Sequence, residues 1–207
     1  MNRPVLLLCL LSYALLGSLP LAFFRRGRFN LAWFATAAPF FGAAAVVIAA
    51  LVGLLLPVPL PHAVQETLAF VAVTMVAGAI LLIGCTVGVH RAPVSLWHQR
   101  DDTPPTLVTG GPYTRLRHPF YTAFIMMLIG TVAALPHTIT IGLLLAGTLV
   151  LWRTAEREEQ RILASPHSRE YAAYMRSTGR FLPRMAAAGS AARERLRPRA
   201  RPAQRRP

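Results

Sequence analysis

A chain of 207 residues that is 54% hydrophobic and only 14% charged, with a mean hydropathy of +0.45, does not have the composition of a water-soluble domain. Its charge is also one-sided, with 22 basic residues against 8 acidic ones and a net charge of +14. These values exclude a soluble globular enzyme and predict an integral membrane protein with basic surfaces.

Five apolar stretches follow in chain order: Pro4 to Phe24, Leu31 to Leu56, Val64 to Gly88, Phe120 to Leu135 and Ile139 to Trp152. The first three exceed the roughly 20 residues that cross hydrocarbon. The last two are shorter, and Pro136-His137 between them predicts a tight helical hairpin that spans by bilayer thinning or snorkelling of its polar ends. The fold class expected is all-α: an integral membrane bundle of about five transmembrane helices with a C-terminal cytosolic helix and a basic tail. Residues 1–104 hold the first three helices and a connecting loop, 105–184 a second unit, and 185–207 a disordered Arg/Pro-rich tail.

All 22 basic residues are arginine. Arg25, Arg26 and Arg28, then Arg91, Arg100, Arg115 and Arg117, then fourteen from Arg153 onward fall on one side, and only Arg3 on the other. The positive-inside rule then places the N-terminus outside and the C-terminus in the cytoplasm. A cleaved signal peptide competes for the first stretch, with Val5 to Leu16 as its apolar core and Leu21-Ala22 near a cleavage site. The arginines after Phe24 favour an uncleaved helix.

Cys9 and Cys85 both fall inside predicted spans and read as buried structural thiols, with neither a disulfide nor a zinc site indicated. His90 and His98 flank Arg91 and Pro93 without ligand spacing, so no metal is expected. The absence of a Gly-x-Gly-x-x-Gly fingerprint and of a Gly-x-x-x-x-Gly-Lys loop leaves soluble nucleotide-binding modules unsupported.

From His90 to Val108, Pro93, Pro104 and Pro105 forbid one continuous helix and predict a surface loop anchored by Leu96 and Trp97. Leu107-Val108 then lead into Thr109-Gly110-Gly111-Pro112, a turn whose glycines let the backbone approach a ligand closely. Arg115, Arg117 and His118 press directly against an apolar run, and Pro119 suits the first turn of a helix, so the fourth span should start near His118. A helix N-terminus beside Arg117 is a seat for a carboxylate. The plain alternative is that these charges only anchor the helix at the headgroups.

Glu156, Glu158 and Glu159 supply three of the eight acids within four residues, just past the fifth span, where the helix dipole gives them nothing. A helix continuing into the cytosol, with Glu158 and Arg161 paired at i,i+3, accounts for helical continuity but not for the clustering. Tyr171 and Tyr174 share one face of an amphipathic helix that Gly179, Phe181 and Pro183 bring to an end. The tail from Arg193 to Pro207 is mostly Arg, Pro and Ala with one Glu, and its expected partner is anionic lipid headgroups. Nucleic acid is not expected, because no aromatic residue interleaves with the arginines.

Taken in order, Leu107-Val108-Thr109-Gly110-Gly111-Pro112-Tyr113, Arg117-His118-Pro119-Phe120-Tyr121, Glu158-Glu159, and Tyr171, Tyr174 and Arg180 to Pro183 resemble the isoprenylcysteine carboxyl methyltransferase family. The resemblance covers about Pro105 to Pro183 and makes 105–184 a methyltransferase-like core. It implies an S-adenosylmethionine-dependent membrane enzyme without a Rossmann domain, like the related phospholipid methyltransferases. It further implies a cofactor pocket lined by Leu107, Val108, Tyr113, Arg117, His118, Pro119 and Tyr121, joined by Glu158 or Glu159. Glu159, twelve residues before Tyr171, is the favoured member of the pair. Arg117 or helix N–H groups would meet the cofactor carboxylate, a glutamate the ribose diol, and Tyr113 or Tyr121 the adenine. Ala123 stands where the family usually has glycine, and Pro166-His167-Ser168 replaces the usual Phe-Gly before Tyr171.

Arg153 and Arg157, one turn apart after the fifth span, are the residues expected to hold an anionic acceptor headgroup, with headgroup snorkelling as the alternative. A chain with no lysine and abundant Arg, Ala and Pro suggests a GC-rich bacterial genome and the bacterial inner membrane. Prenylated cysteine is not expected there, so the acceptor is read more broadly as a lipophilic or membrane-associated small molecule offering a carboxylate, amine or thiol. Two other readings remain at this level. One is an NADPH-dependent membrane reductase of sterol-reductase type, the other a non-catalytic membrane scaffold. Transport is disfavoured, since the spans hold almost no ionisable residue besides Glu66.

Overall fold

A computed structural model of the chain describes residues 2–17, 24–25, 28–29, 31–89 and 107–184. The readings placed on Leu21-Ala22, on the 90–106 loop with His90, Leu96, Trp97 and His98, and on the basic tail lie outside the described residues. Among those described, six α-helices follow in order: α1 (Arg3–Gly17), α2 (Leu31–Leu51), α3 (His62–Val89), α4 (Pro119–Ala134), α5 (Thr138–Leu163) and α6 (Ser168–Ser177). A 3-10 turn covers Gly111–Thr114, and a two-residue antiparallel ladder pairs β1 (Phe24–Arg25) with β2 (Arg28–Phe29). Among the described residues the regular structure is therefore helical apart from this short ladder and one isolated bridge.

Three helices are long and apolar enough to cross a membrane: Phe34–Leu51 within α2, His62–Val89 and Thr138–Leu163. Two shorter apolar helices, Arg3–Leu15 and Pro119–Ala134, accompany them. At 1.5 Å per residue the 16 residues of α4 extend roughly 24 Å, less than a hydrocarbon core of about 30 Å. Two boundaries differ from the hydropathy reading. The second apolar stretch is helical only to Leu51, short of Leu56, and the last of the apolar helices continues past Trp152 to Leu163. The Arg- and Glu-rich turns after Trp152 are good helix formers and simply prolong α5.

Helix contact follows the rules of packing in lipid, where large apolar residues gain nothing by leaving the acyl chains and small residues let backbones approach. Leu11, Phe70, Leu81 and Leu145 are exposed, whereas Ala43, Ala72, Ala79 and Ala123 are buried. At Gly130 on α4, a side chain would come within 2.8 Å of Val76 Cγ2 on α3. The core cluster joins Tyr13, Phe40, Phe120, Tyr121, Phe124, Met127, Leu128 and Leu151. The Tyr13 and Thr131 hydroxyls meet at 2.7 Å, tying α1 to α4. Cys9 is buried as expected, but Cys85 is exposed, because it lies on the outward face of α3.

The tight hairpin is present. Its corner is closed by His137 Nδ1 accepting from the Ile139 N–H and Thr140 Oγ1 accepting from the His137 N–H, both at 3.2 Å. Thr140 Oγ1 also donates to the Leu135 carbonyl at 2.8 Å. The chain reverses here, so the start of α4 and the end of α5 come to the same end of the bundle.

Candidate functional site

The site begins with the glycine turn. Gly111 has φ +56°, and a Cβ there would run into the Val89 side chain at the end of α3. Glycine is required both by backbone conformation and by this close approach. The Tyr113 N–H donates to the Gly110 carbonyl at 3.1 Å and Thr114 Oγ1 to the Gly111 carbonyl at 2.7 Å, shaping the 3-10 turn.

His118 then caps α4, with Pro119 at its first helical position, as the sequence predicts. The residues just before the helix are held by the C-terminal segment. A parallel bridge joins Leu116 and Gly179. Within it Arg117 N–H donates to the Gly179 carbonyl at 2.8 Å, His118 N–H to that of Arg180 at 3.1 Å, and Gly179 N–H to that of Arg115 at 3.1 Å. Tyr174 Oη on α6 donates to the Tyr113 carbonyl at 2.6 Å, and Thr122 Oγ1 on α4 to the Phe181 carbonyl at 3.0 Å.

The two acids of α5 meet this framework differently. Glu159 is 2% exposed. Its Oε1 accepts from Arg117 Nε at 2.8 Å and Arg180 Nε at 3.2 Å, and lies 3.2 Å from His118 Nε2. Its Oε2 accepts from Arg180 Nη2 at 2.6 Å and Nε at 3.2 Å. A carboxylate offers about four lone-pair sites, so Glu159 is saturated. Arg117 is equally committed, since Nη1 also donates to the Thr178 carbonyl at 2.6 Å.

Glu158 turns to the aromatic side. Its Oε1 accepts from Tyr121 Oη at 2.8 Å, its Oε2 lies 3.5 Å from His118 Nδ1, and its side chain keeps 23% of its surface. It has acceptor capacity and access that Glu159 lacks. Arg161, the partner in the plain reading of a solvated helix, acts on Glu158 electrostatically, while the hydrogen bond of Glu158 runs across helices to Tyr121. His118 thus stands between the two acids with one nitrogen toward each.

The His118 and Tyr121 rings stack, with centroids 5.3 Å apart and planes within 3°. Phe181 stands nearly perpendicular to both. Trp152 adjoins Phe181 at 5.8 Å, and the Arg180 guanidinium lies 4.6 Å from its ring centroid, a cation–π contact. Around this cluster burial pushes the Tyr174 phenol up to about 12. Burial also raises Tyr113, with Tyr174 and Glu158 adding to the effect, and Tyr171, with Glu159 adding to it. These phenols stay protonated at neutral pH, and Tyr174 is the one seen donating, to the Tyr113 carbonyl.

The structure therefore gathers Tyr113, Arg117, His118, Pro119, Tyr121, Glu158 and Glu159 at one end of the bundle. Leu107 is half-buried and Val108 exposed, just before the turn. Arg153 and Arg157 are exposed on another face of α5 and take no part in the acid cluster among the described contacts. Arg180, Phe181, Thr178 and Trp152 complete the site without a role assigned from sequence. A buried acid pair demands counter-charge, which signals a missing arginine, but linear spacing does not single out Arg180 among so many.

These features define an integral membrane helical protein whose polar site is built where a helical hairpin returns to one end of the bundle. Residues 70–165 match the model of the isoprenylcysteine carboxyl methyltransferase family. The chain is 35% identical over 80 residues to the cobalt-zinc-cadmium resistance protein CzcN of Cupriavidus metallidurans, covering 39% of this chain and 37% of that protein. It is 33% identical over 118 residues to the nickel-cobalt-cadmium resistance protein NccN of Alcaligenes xylosoxydans xylosoxydans, covering 54% of each. The chain thus spans about half or less of the curated relatives it matches. No solved structure matches.

Proposed function

We propose that this protein is an S-adenosylmethionine-dependent methyltransferase acting on a lipophilic or membrane-associated small acceptor. The observation that carries the reading is Glu158, held by Tyr121 and His118 beside the glycine turn, with acceptor capacity to spare. A ribose diol presents two hydroxyl donors, and a partly exposed carboxylate is their natural partner. Glu159, saturated by Arg117 and Arg180, holds the frame, so Glu158 is the diol ligand in this reading. In this reading Leu107, Val108, Tyr113, Arg117, His118, Pro119 and Tyr121 line the cofactor pocket with it.

The cofactor supplies a methyl group on a positively charged sulfonium. The protein's part is orientation and exclusion of water: when the acceptor is an anion, opposite charges disappear in the transfer, and a site at the membrane edge favours that if the groups are already aligned. A carboxylate or thiolate acceptor needs no general base. An amine acceptor arriving protonated would require one, and His118 is the group in place. Arg153 and Arg157, exposed one turn apart past the apolar part of α5, are the cations offered to an anionic acceptor headgroup. The arginine count supports an N-out, C-in chain in a bacterial inner membrane, with the basic tail on anionic headgroups.

Calorimetry on detergent-purified protein tests this, comparing S-adenosylmethionine with NADPH on wild type and Glu158→Gln. The expected result is micromolar binding of S-adenosylmethionine that weakens at least tenfold in the variant. Binding of NADPH instead would select a reductase, and binding of neither by folded wild type would leave a scaffold.

A further inference from the structure

Between Gly179 and Arg184 the chain turns sharply. A Cβ at Gly179 would overlap the Leu182 carbonyl, so only glycine permits the fold-back. The turn sends neighbouring side chains in opposite directions: Leu182 is 79% exposed, whereas Phe181 packs against the main core cluster. Its backbone is fixed as well, because the Phe181 carbonyl accepts from Thr122 Oγ1 at 3.0 Å, one residue beyond Tyr121.

The Phe181 ring meets three others. It lies 6.1 Å from His118 at 71°, 6.4 Å from Tyr121 at 74° and 5.8 Å from Trp152 at 76°. Edge-to-face geometry is the arrangement that aromatic quadrupoles prefer, and it resists rotation of the rings it touches. The parallel His118–Tyr121 stack is therefore held from the carboxylate side by Glu158 and from the aromatic side by Phe181. Arg180, the preceding residue, is anchored on Glu159 and on the face of Trp152, so Phe181 cannot drift without breaking these contacts.

We propose that Phe181 is a positioning residue: it sets the plane of the His118–Tyr121 stack, and the docked C-terminal segment thereby governs how tightly the site holds its cofactor. The inference rests on the methyltransferase reading only for the identity of the cofactor. Its physical content is that a ring at position 181 is needed for orientation rather than for filling space.

The experiment compares wild type, Phe181→Ala and Phe181→Tyr in detergent by three readouts: thermal unfolding without ligand, S-adenosylmethionine affinity by calorimetry, and the imidazole resonances of His118, assigned with a His118→Gln variant. Phe181→Ala is expected to weaken binding about tenfold and to shift and broaden the His118 signals in protein that is still folded at the assay temperature, with an unfolding temperature lowered only by the loss of a half-buried ring. Phe181→Tyr is expected to restore both. Wild-type affinity in Phe181→Ala overturns the proposal, as does an equal loss in both variants that tracks falling stability. Should wild type not bind S-adenosylmethionine, the cofactor reading falls and the His118 spectrum decides: resonances unchanged in Phe181→Ala overturn the positioning role, and displaced resonances restored in Phe181→Tyr support it.

Discussion

Arg117 Nε and Glu159 Oε1 lie 2.8 Å apart although 42 positions separate them in the chain. The side chains are 10% and 3% exposed, so the pair is nearly withdrawn from water. Arg180 approaches the other carboxylate oxygen at 2.6 Å, and one acid thus binds the segment before α4 and the segment after α6 to α5.

Removing that acid strands two guanidinium groups. Breaking one side of a buried ion pair costs about 3–5 kcal/mol. Glu159→Ala is expected to lower the thermal unfolding temperature markedly, and Glu159→Gln by less because the amide still accepts. Thermal scans in detergent measure this, and an unchanged midpoint in Glu159→Ala would refute the hub.

The sequence made the helices, the hairpin and the helix start at His118 legible, because hydropathy, Pro136-His137 and Pro119 are local signals. It also made legible that Arg117, His118 and the acid pair belong together. It did not reveal which acid carries which job, since Glu158 and Glu159 are adjacent and their difference arises only from what each meets across helices. The same holds for Arg180 and Phe181, placed by a turn that depends on Gly179. Hydropathy misjudged the end of the fifth apolar stretch because it registers where apolar residues stop, and α5 does not stop there.

Tyr121 donates to Glu158 at 2.8 Å and is 2% exposed. Tyr121→Phe keeps the ring and removes the donor, a loss of about 1 kcal/mol or roughly fivefold in cofactor affinity. Calorimetry should show this weakening with the His118 stack intact; equal affinity would mean that the hydroxyl does not orient Glu158.

Gly179→Ala should be among the most damaging small substitutions, since the added carbon overlaps the Leu182 carbonyl. The control is Gly84→Ala on α3, where a Cβ meets nothing within 4 Å and helix propensity gains about 0.5–1 kcal/mol. Limited proteolysis should cut within residues 178–184 in the first variant and leave that segment resistant in the second.

Tyr13→Phe removes the hydroxyl contact to Thr131 that ties α1 to α4. Interhelical hydrogen bonds in membranes average about 0.6 kcal/mol, so a small drop in unfolding temperature is expected, with cofactor binding preserved. A large loss of affinity in this variant would show that α1 communicates with the site.

The bridge between Leu116 and Gly179 also has a bearing on synthesis. The hairpin of α4 and α5 can enter the bilayer as soon as it leaves the ribosome, but Glu159 finds Arg180 only after α6 has emerged. A nascent chain halted at the end of α5 would be inserted yet incomplete, with a buried acid short of one partner and the His118 ring without its contact to Phe181. Completion of the site is thereby a late event in the life of the polypeptide, and a cell's surveillance machinery would meet the unfinished form as a buried acid with only half of its arginine partners.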